Sequence, residues 1–140
     1  MHPDIPPTLG RLLASPHVAQ RAFSWSKNRW MSWLSEIDGG ARVLNSLPDA
    51  VDRASTAETV DAYVREGAFT EAFIACMVWG HGHSGYGPYR TARILSGAPG
   101  QAGKTTDGTV IKRLQTSVER FNAGGAVDAY RYLNNDGHID

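Results

Sequence analysis

Apolar residues recur at three- and four-residue steps along most of this sequence, the spacing that places side chains on one face of an α-helix. No segment shows sustained period-two alternation of apolar and polar residues, which is typical of strands. The pattern therefore predicts an all-α protein, a bundle of about six to seven helices. The predicted helices span residues 17–34, 41–47, 56–66, 70–80, 88–96, 109–124 and 126–133.

Capping and breaking residues set the predicted boundaries. Ser55 and Glu58 have capping-box spacing, Thr70 is a second N-cap candidate, and Pro48 closes the short helix before them. Pro88 suits the first turn of a helix, because its missing N–H costs nothing there. Four prolines within residues 1–16 predict an extended arm without a helix. Residues 17–140 are then expected to form one α-helical domain.

Two glycine-containing segments interrupt the helical pattern. GHGHSGYG, residues 80–87, contains five glycine or serine residues in eight, and APGQAGKTTDG covers residues 98–108. Such composition disfavours regular structure. Both segments are therefore predicted to be loops, the first leading directly into the helix that begins near Pro88.

Composition excludes several classes of protein. The chain has 140 residues, 41% of them hydrophobic, and its four tryptophans could fill the centre of a bundle, which argues against global disorder. Cys76 is the only cysteine, so a disulfide scaffold is excluded. No apolar run approaches the roughly 18 residues of a membrane span, and the N-terminus lacks signal-peptide features. A cytoplasmic protein without a membrane partner is expected.

The net charge of zero conceals an uneven distribution. Residues 11–34 carry +4, residues 36–71 carry −5 and residues 86–115 carry +4. An ordinary charged helical surface is one interpretation. A surface that faces phosphates is the other, because only local charge matters for counterion release.

The segment GYGPYRTA, residues 85–92, combines glycines, a helix start and Arg90, with Arg93 following within one turn. Glycines before a helix leave amide donors uncovered, and the helix dipole adds partial positive charge. An anion site is therefore predicted here. The alternative is that Gly87 and Pro88 only start a helix and both arginines are solvated.

Two other motifs carry weaker signals. Residues 98–105, ending in Lys104 and Thr105, fit a relaxed P-loop pattern, but a true P-loop needs a buried strand before it, and the preceding segment has helical periodicity. A P-loop-like nucleotide binder is kept as an alternative function. His81 and His83 lack the further ligands that a zinc site requires, so no metal and no cofactor are expected.

The segment VWGHGHSGYGPYRTARIL, residues 78–95, resembles the signature of a bacterial family with the 8-oxoguanine DNA glycosylase fold. Its Gly-Tyr-Gly turn is similar to the phosphate-holding turn of helix-hairpin-helix proteins. The flanking segments agree: an aromatic N-terminal helix, the helix TVIKRLQTSVERF and the helix AYRYL. The resemblance implies an all-α fold related to the helix-hairpin-helix glycosylases, DNA as partner, and a role in base-damage repair or nucleic-acid processing.

In such glycosylases a flipped nucleotide is attacked by a hairpin lysine, assisted by an aspartate. The resemblance places both beyond the AYRYL helix, so the catalytic residues are expected outside this chain. Either they lie in a missing C-terminal half, or the chain is a natural short relative that binds without catalysing. The predicted nucleic-acid contacts are His81, His83, Gly85, Tyr86, Gly87, Tyr89, Arg90, Arg93, Lys112 and Arg113.

A protein-interaction module is the alternative from a different class. The aromatic helix 17–34 would then dock a partner, such as the missing half, through Trp25, Trp30 or Trp33. Exposed tryptophans are frequent at binding hot spots, although a tryptophan stripe at helical spacing also suits a core.

Overall fold

A computed structural model describes residues 5–16, 19–97 and 102–139. These residues form eight helices and one short antiparallel ribbon, so the all-α prediction is confirmed. The helices are α1 (Pro7–Ala14), α2 (Lys27–Leu34), α3 (Gly40–Ser46), α4 (Arg53–Arg65), α5 (Phe69–His81), α6 (Gly87–Ser96), α7 (Gly108–Gly124) and α8 (Ala126–Asn134). The ribbon pairs β1 (Phe23–Ser24) with β2 (Ala50–Val51).

Helix α5 is the central element of the bundle. It contacts α3, α4, α6 and α7, and it buries Ala72, Ile74, Ala75 and Val78. The segment is apolar on nearly every side, which is the composition of a helix surrounded by others. The predicted buried helix is thus confirmed, although it begins at Phe69 and Thr70 lies buried inside it without acting as a cap.

Helices α2 and α6 pack against each other beside α5. Helix α2 buries Trp30 and Leu34, while α6 buries Ala92, Ile94 and Leu95, among others. This packing leaves the outer sides of both helices at the surface next to the α5–α6 loop. The loop, α2 and α6 are therefore held in one fixed arrangement.

The predicted helix over residues 17–34 is wrong between residues 19 and 26, and its first two residues, 17 and 18, lie outside the described residues. The chain is irregular over residues 19–22, and Phe23 and Ser24 pair with Val51 and Ala50 in the ribbon. The indole N–H of Trp25 donates to the carbonyl of Pro48 at 2.7 Å, and Trp25 is buried. Aromatic residues suit strands as well as helices, so these long-range contacts decide the conformation.

The prediction that prolines exclude a helix from residues 1–16 is also wrong. Helix α1 starts at Pro7, which occupies the first turn, where a fixed φ and a missing N–H are tolerated. No proline follows until Pro16, so the helix has room for two turns. None of its residues is buried.

Helix α4 begins earlier than the capping signal indicated. Asp52 is the N-cap: its side chain accepts from the amide of Ser55 at 2.7 Å, and the Ser55 hydroxyl accepts from the amide of Asp52 at 3.2 Å. Ser55 is therefore the N3 residue of the box and not its N-cap. The remaining predicted boundaries at Pro88, Gly97 and Gly125 agree with the structure to within a residue.

The connection between α6 and α7 is held by a few polar contacts. Gly97 ends α6 with a φ of +62°, the left-handed conformation that glycine adopts without strain. The amide of Asp107 donates to the carbonyl of Leu95 at 2.7 Å, and the Asp107 carboxylate caps α7 by accepting from Thr109 and Val110. These contacts set the start of α7 against the end of α6.

The tryptophans do not all lie in the core. Trp25 and Trp30 are buried and Trp79 is half-buried, but Trp33 is 42% exposed. No helix among the described residues is both long enough and apolar enough to cross a membrane.

Candidate nucleic-acid interface

The loop between α5 and α6, residues 82–86, is organised by Ser84. The Ser84 amide donates to the carbonyl of His81 at 2.9 Å, and the Ser84 carbonyl and hydroxyl accept from the amides of Gly87 and Tyr86, both at 3.4 Å. The amides of Tyr86 and Gly87 are therefore occupied by the loop itself, and Pro88 has none. The expectation that glycines leave uncovered donors at this helix start is wrong for these positions.

Gly87 is needed because the chain is crowded where α6 begins. A Cβ atom at Gly87 would lie 2.6 Å from the Cβ of His81 and 3.1 Å from the Trp30 ring. The Thr91 hydroxyl, which is buried, donates to the Gly87 carbonyl at 2.8 Å. This close contact fixes the direction in which α6 leaves the loop.

His81 is half-buried beside Gly87. Burial lowers the pKa of its imidazole, and the positive charge of Arg90 lowers it further. Both effects favour the uncharged form of the ring. His83 is exposed and its ring packs on Phe23 with centroids 6.0 Å apart.

Arg29 of α2 lies against this loop. A Cβ atom at Gly85 would be 2.9 Å from the Nη1 atom of Arg29, so the missing side chain of Gly85 makes space for the guanidinium. A cleft of about 240 Å³ lies here, lined by Ser26, Arg29, Trp30, Gly82, His83 and Ser84.

Three aromatic rings follow on the same surface. The Tyr86 and Tyr89 rings are 5.5 Å apart between centroids, and Trp33 meets Tyr89 edge-on at 5.3 Å. Tyr86 is 50% exposed. Tyr89 is half-buried between the two exposed rings.

Arg90 and Arg93 lie beyond these rings on α6. Tyr86, Arg90, Arg93 and Ile94 line a second cleft of about 320 Å³. Arg93 and Ile94 also line a third cleft, of about 560 Å³, between the end of α6, the start of α7 and the chain after α8. The second and third clefts therefore adjoin at Arg93.

Arg113 reaches the third cleft from α7 and donates to the carbonyl of His138. Lys112 is exposed and belongs to the lining of neither of the two adjoining clefts. Of the predicted basic residues, the structure thus brings Arg90, Arg93 and Arg113 to connected clefts and leaves Lys112 outside them.

The arginines of this surface lack acidic partners. Four ion pairs occur within the described residues, and none involves Arg29, Arg90 or Arg93. By contrast, Arg42 pairs with Glu66 at 2.6 Å, and this contact raises the pKa of the Arg42 guanidinium. Positive charge is therefore neutralised in the acidic middle of the chain but not beside the loop.

Sequence reasoning did not assign Arg29 to this surface, and it considered Trp33 only as a candidate for docking a protein partner. Both lie on α2, four residues apart, and so on one side of the helix. Arg29 belongs to the basic block of residues 11–34, which indicated positive charge but not its position. The predicted helix 17–34 was too long to show which face of α2 meets α6.

The alternative functions find little support in this arrangement. Trp25 and Trp30 are buried, so the partner-docking hypothesis is wrong for both and retains only Trp33. Lys104 of the P-loop pattern pairs with Glu36 at 3.1 Å, and the element before that pattern is a helix, α6. Residues 98–101 of the pattern lie outside the described residues. Among the described residues, no group of three or more potential metal ligands occurs.

The described residues thus define a small, mostly helical protein whose α2–α6 surface exposes arginines and aromatic rings. A protein-family model described as "Putative 8-oxoguanine DNA glycosylase OGG-like protein" matches residues 16–140. The chain therefore belongs to the OGG-like family of DNA glycosylase-like proteins. A search of curated proteins gave no match, and neither did a search of solved structures.

Proposed function

We propose that this protein binds DNA through the surface that carries Arg29, Arg90 and Arg93, and that it acts in base-damage repair or nucleic-acid processing. The observation that carries the proposal is that three arginines without ion-pair partners surround a glycine-rich loop and its adjoining clefts. Membership of the OGG-like family supports DNA as the ligand.

The physical basis is the phosphate backbone. A protein that neutralises phosphates with arginine releases condensed counterions, which favours binding and makes it depend on salt. Arginine suits this role because its planar guanidinium bonds two phosphate oxygens at once. Arg29 projects from α2, whereas Arg90 and Arg93 project from α6. A DNA backbone that crosses the loop between α5 and α6 would therefore meet positive charge from both α2 and α6.

The other predicted contacts take positions within this proposal. Gly85 makes space for the guanidinium of Arg29, while His83 and Tyr86 are exposed on the loop. Gly87 and His81 have a supporting role, since their close contact fixes the direction in which α6 leaves the loop. Arg113 adds a guanidinium to the third cleft, whose lining also includes Asp107 and Asp136, and Lys112 lies outside that lining.

The proposal concerns binding and assigns no catalytic residue. A glycosylase that forms a Schiff base with the sugar needs a lysine amine at the reacting carbon. None of the described residues that line the three clefts is a lysine, and Lys104 is paired with Glu36.

Fluorescence anisotropy with a labelled DNA duplex tests the proposal. Three phosphate contacts predict a fall in the association constant of about fortyfold between about 50 and 200 mM salt. Arg90→Glu together with Arg93→Glu is expected to abolish binding. Arg65→Glu is the matched control, since Arg65 is 79% exposed on α4 and pairs with Asp61.

Absence of binding at tens of micromolar protein in low salt would contradict the proposal. So would binding that does not respond to salt, or a double charge reversal that binds as well as the Arg65 control. Circular dichroism of each variant shows whether loss of binding reflects loss of folding.

A further inference from the structure

The aromatic row Trp33–Tyr89–Tyr86 adjoins the arginines but is not explained by phosphate binding. Trp33 is 42% and Tyr86 is 50% exposed, although both are large aromatic residues. Their contacts with Tyr89 place the two exposed rings on either side of a half-buried one. The row therefore presents two exposed aromatic rings, Trp33 and Tyr86, each in contact with the half-buried ring of Tyr89.

The rings of the row are inclined to one another. Trp33 and Tyr89 are inclined at 76° and Tyr86 and Tyr89 at 47°, so neither exposed ring is stacked in parallel on Tyr89. A flat ligand can stack in parallel on a ring face only where no other ring already covers it.

The spacing along α6 combines these rings with charge. Tyr86, Tyr89, Arg90 and Arg93 follow one another at steps of three, one and three residues, and Tyr86, Arg90 and Arg93 line the same 320 Å³ cleft. One aromatic ring and two guanidinium groups therefore border a single space.

We infer that the row Trp33–Tyr89–Tyr86 is a stacking platform for unpaired bases, so that this protein binds single-stranded DNA more tightly than duplex DNA. The inference rests on the proposed function and deepens it. Base faces are covered by neighbouring bases in a duplex but can be splayed onto aromatic side chains in a single strand. A strand also carries a phosphate beside every base, which matches a surface where arginines lie beside aromatic rings.

Charge favours this ligand over a protein partner. A hydrophobic segment of another protein would bury the Trp33 and Tyr86 rings but would leave Arg90 and Arg93 desolvated without a counter-charge, which is costly. Sequence-independent single-strand binding needs both a positively charged groove and rings for stacking, and both are present here.

The experiment compares two ligands of equal sequence under equal salt. A labelled, unstructured strand of about 20 nucleotides and the duplex made from it are titrated with the full chain. The single strand is expected to bind several-fold more tightly. Tyr86→Leu and Trp33→Leu should each weaken single-strand binding by about tenfold, toward the lower end of what one base–aromatic stack contributes.

Conservative variants separate stacking from other effects of the substitutions. Tyr86→Phe keeps the ring and should bind like the parent protein. Tyr130→Leu is the matched control, because Tyr130 is 69% exposed on α8 and lines none of the three clefts. Single-strand binding should also quench tryptophan fluorescence, and Trp33→Phe should remove most of this quenching.

The inference is overturned if the duplex binds at least as tightly as the strand, or if Tyr86→Leu binds the strand like the parent. DNA binding through the arginines would survive either result. If neither ligand binds, the proposed function fails together with the inference.

Discussion

The backbone of Gly87 lies directly against the side chain of His81, so closely that a Cβ atom on Gly87 would come within 2.6 Å of the His81 Cβ and 2.7 Å of its Cγ. Real Cβ atoms essentially never approach other atoms this closely. The Trp30 ring closes the other side, 3.1 Å from the same Cβ position. Helices α5 and α6 therefore cannot separate here to admit a side chain without opening the core.

Gly87→Ala is therefore expected to destabilise the protein by about 1–3 kcal/mol, the usual cost of forcing a methyl group into a packed site. Urea denaturation followed by circular dichroism measures the change. Gly80→Ala is the matched control in α5: apart from its chain neighbours and its own helix backbone, no atom lies within 4 Å of its would-be Cβ, so helix propensity should raise stability by up to about 1 kcal/mol. Equal stability of both variants would contradict the crowding argument.

The tryptophans of α2 provide a second test. Trp30 is 1% exposed, so Trp30→Ala is expected to cost about 3–5 kcal/mol. Trp33→Ala, four residues from the Arg29 position on the same helix, should cost less than about 1 kcal/mol, since a half-exposed ring loses little packing. Thermal unfolding of both variants measures the difference. A larger loss of stability for Trp33→Ala than for Trp30→Ala would contradict the orientation of α2, in which Trp30 faces the core and Trp33 the surface.

Removal of Arg29 should weaken DNA binding without affecting the fold. Arg29→Gln is expected to lower the association constant and to reduce the slope of its logarithm against the logarithm of salt concentration by about one, as for a phosphate contact. Anisotropy titrations at several salt concentrations give this slope. The control Arg65→Gln should leave it unchanged, and an unchanged slope for Arg29→Gln would remove this residue from the interface.

The pH dependence of α4 follows from its N-cap. Hydrogen bonds from the Ser55 backbone amide and side chain lower the pKa of Asp52 below its ordinary value. The cap charge therefore contributes its full stability above the unfolded-state pKa of about 3.9, and this contribution is lost as the pH falls through the lower folded-state pKa.

Asp52→Asn keeps an oxygen that can accept the Ser55 amide but cannot titrate. The parent protein should unfold at a higher temperature than this variant near neutral pH, and the two should converge as the pH falls below 4. Melting curves over this pH range measure the convergence. A temperature difference that persists or widens in acid would show that the charge of Asp52 is not responsible.

Much of the fold was predictable because the decisive signals are local. The apolar spacing of α5 and α7, the position of Pro88 in the first turn of α6 and the left-handed end at Gly97 each depend on a few neighbouring residues. The prediction failed at residues 19–26, where Phe23 and Trp25 make their contacts with residues around position 50. Local periodicity carries no information about such partners.

The candidate site divides in the same way. The sequence by itself determined the helical class, the glycine loop and the presence of Arg90 and Arg93 one turn apart, since these follow from residue types and spacing. Only the tertiary structure decided that Arg29 and Trp33 meet this loop, that Ser84 occupies the amides before α6, and that Trp30 is buried while Trp33 is exposed. The physical reason is that side-chain partners distant in sequence are chosen by the packing of α2 on α6, which depends on the shape of the whole core.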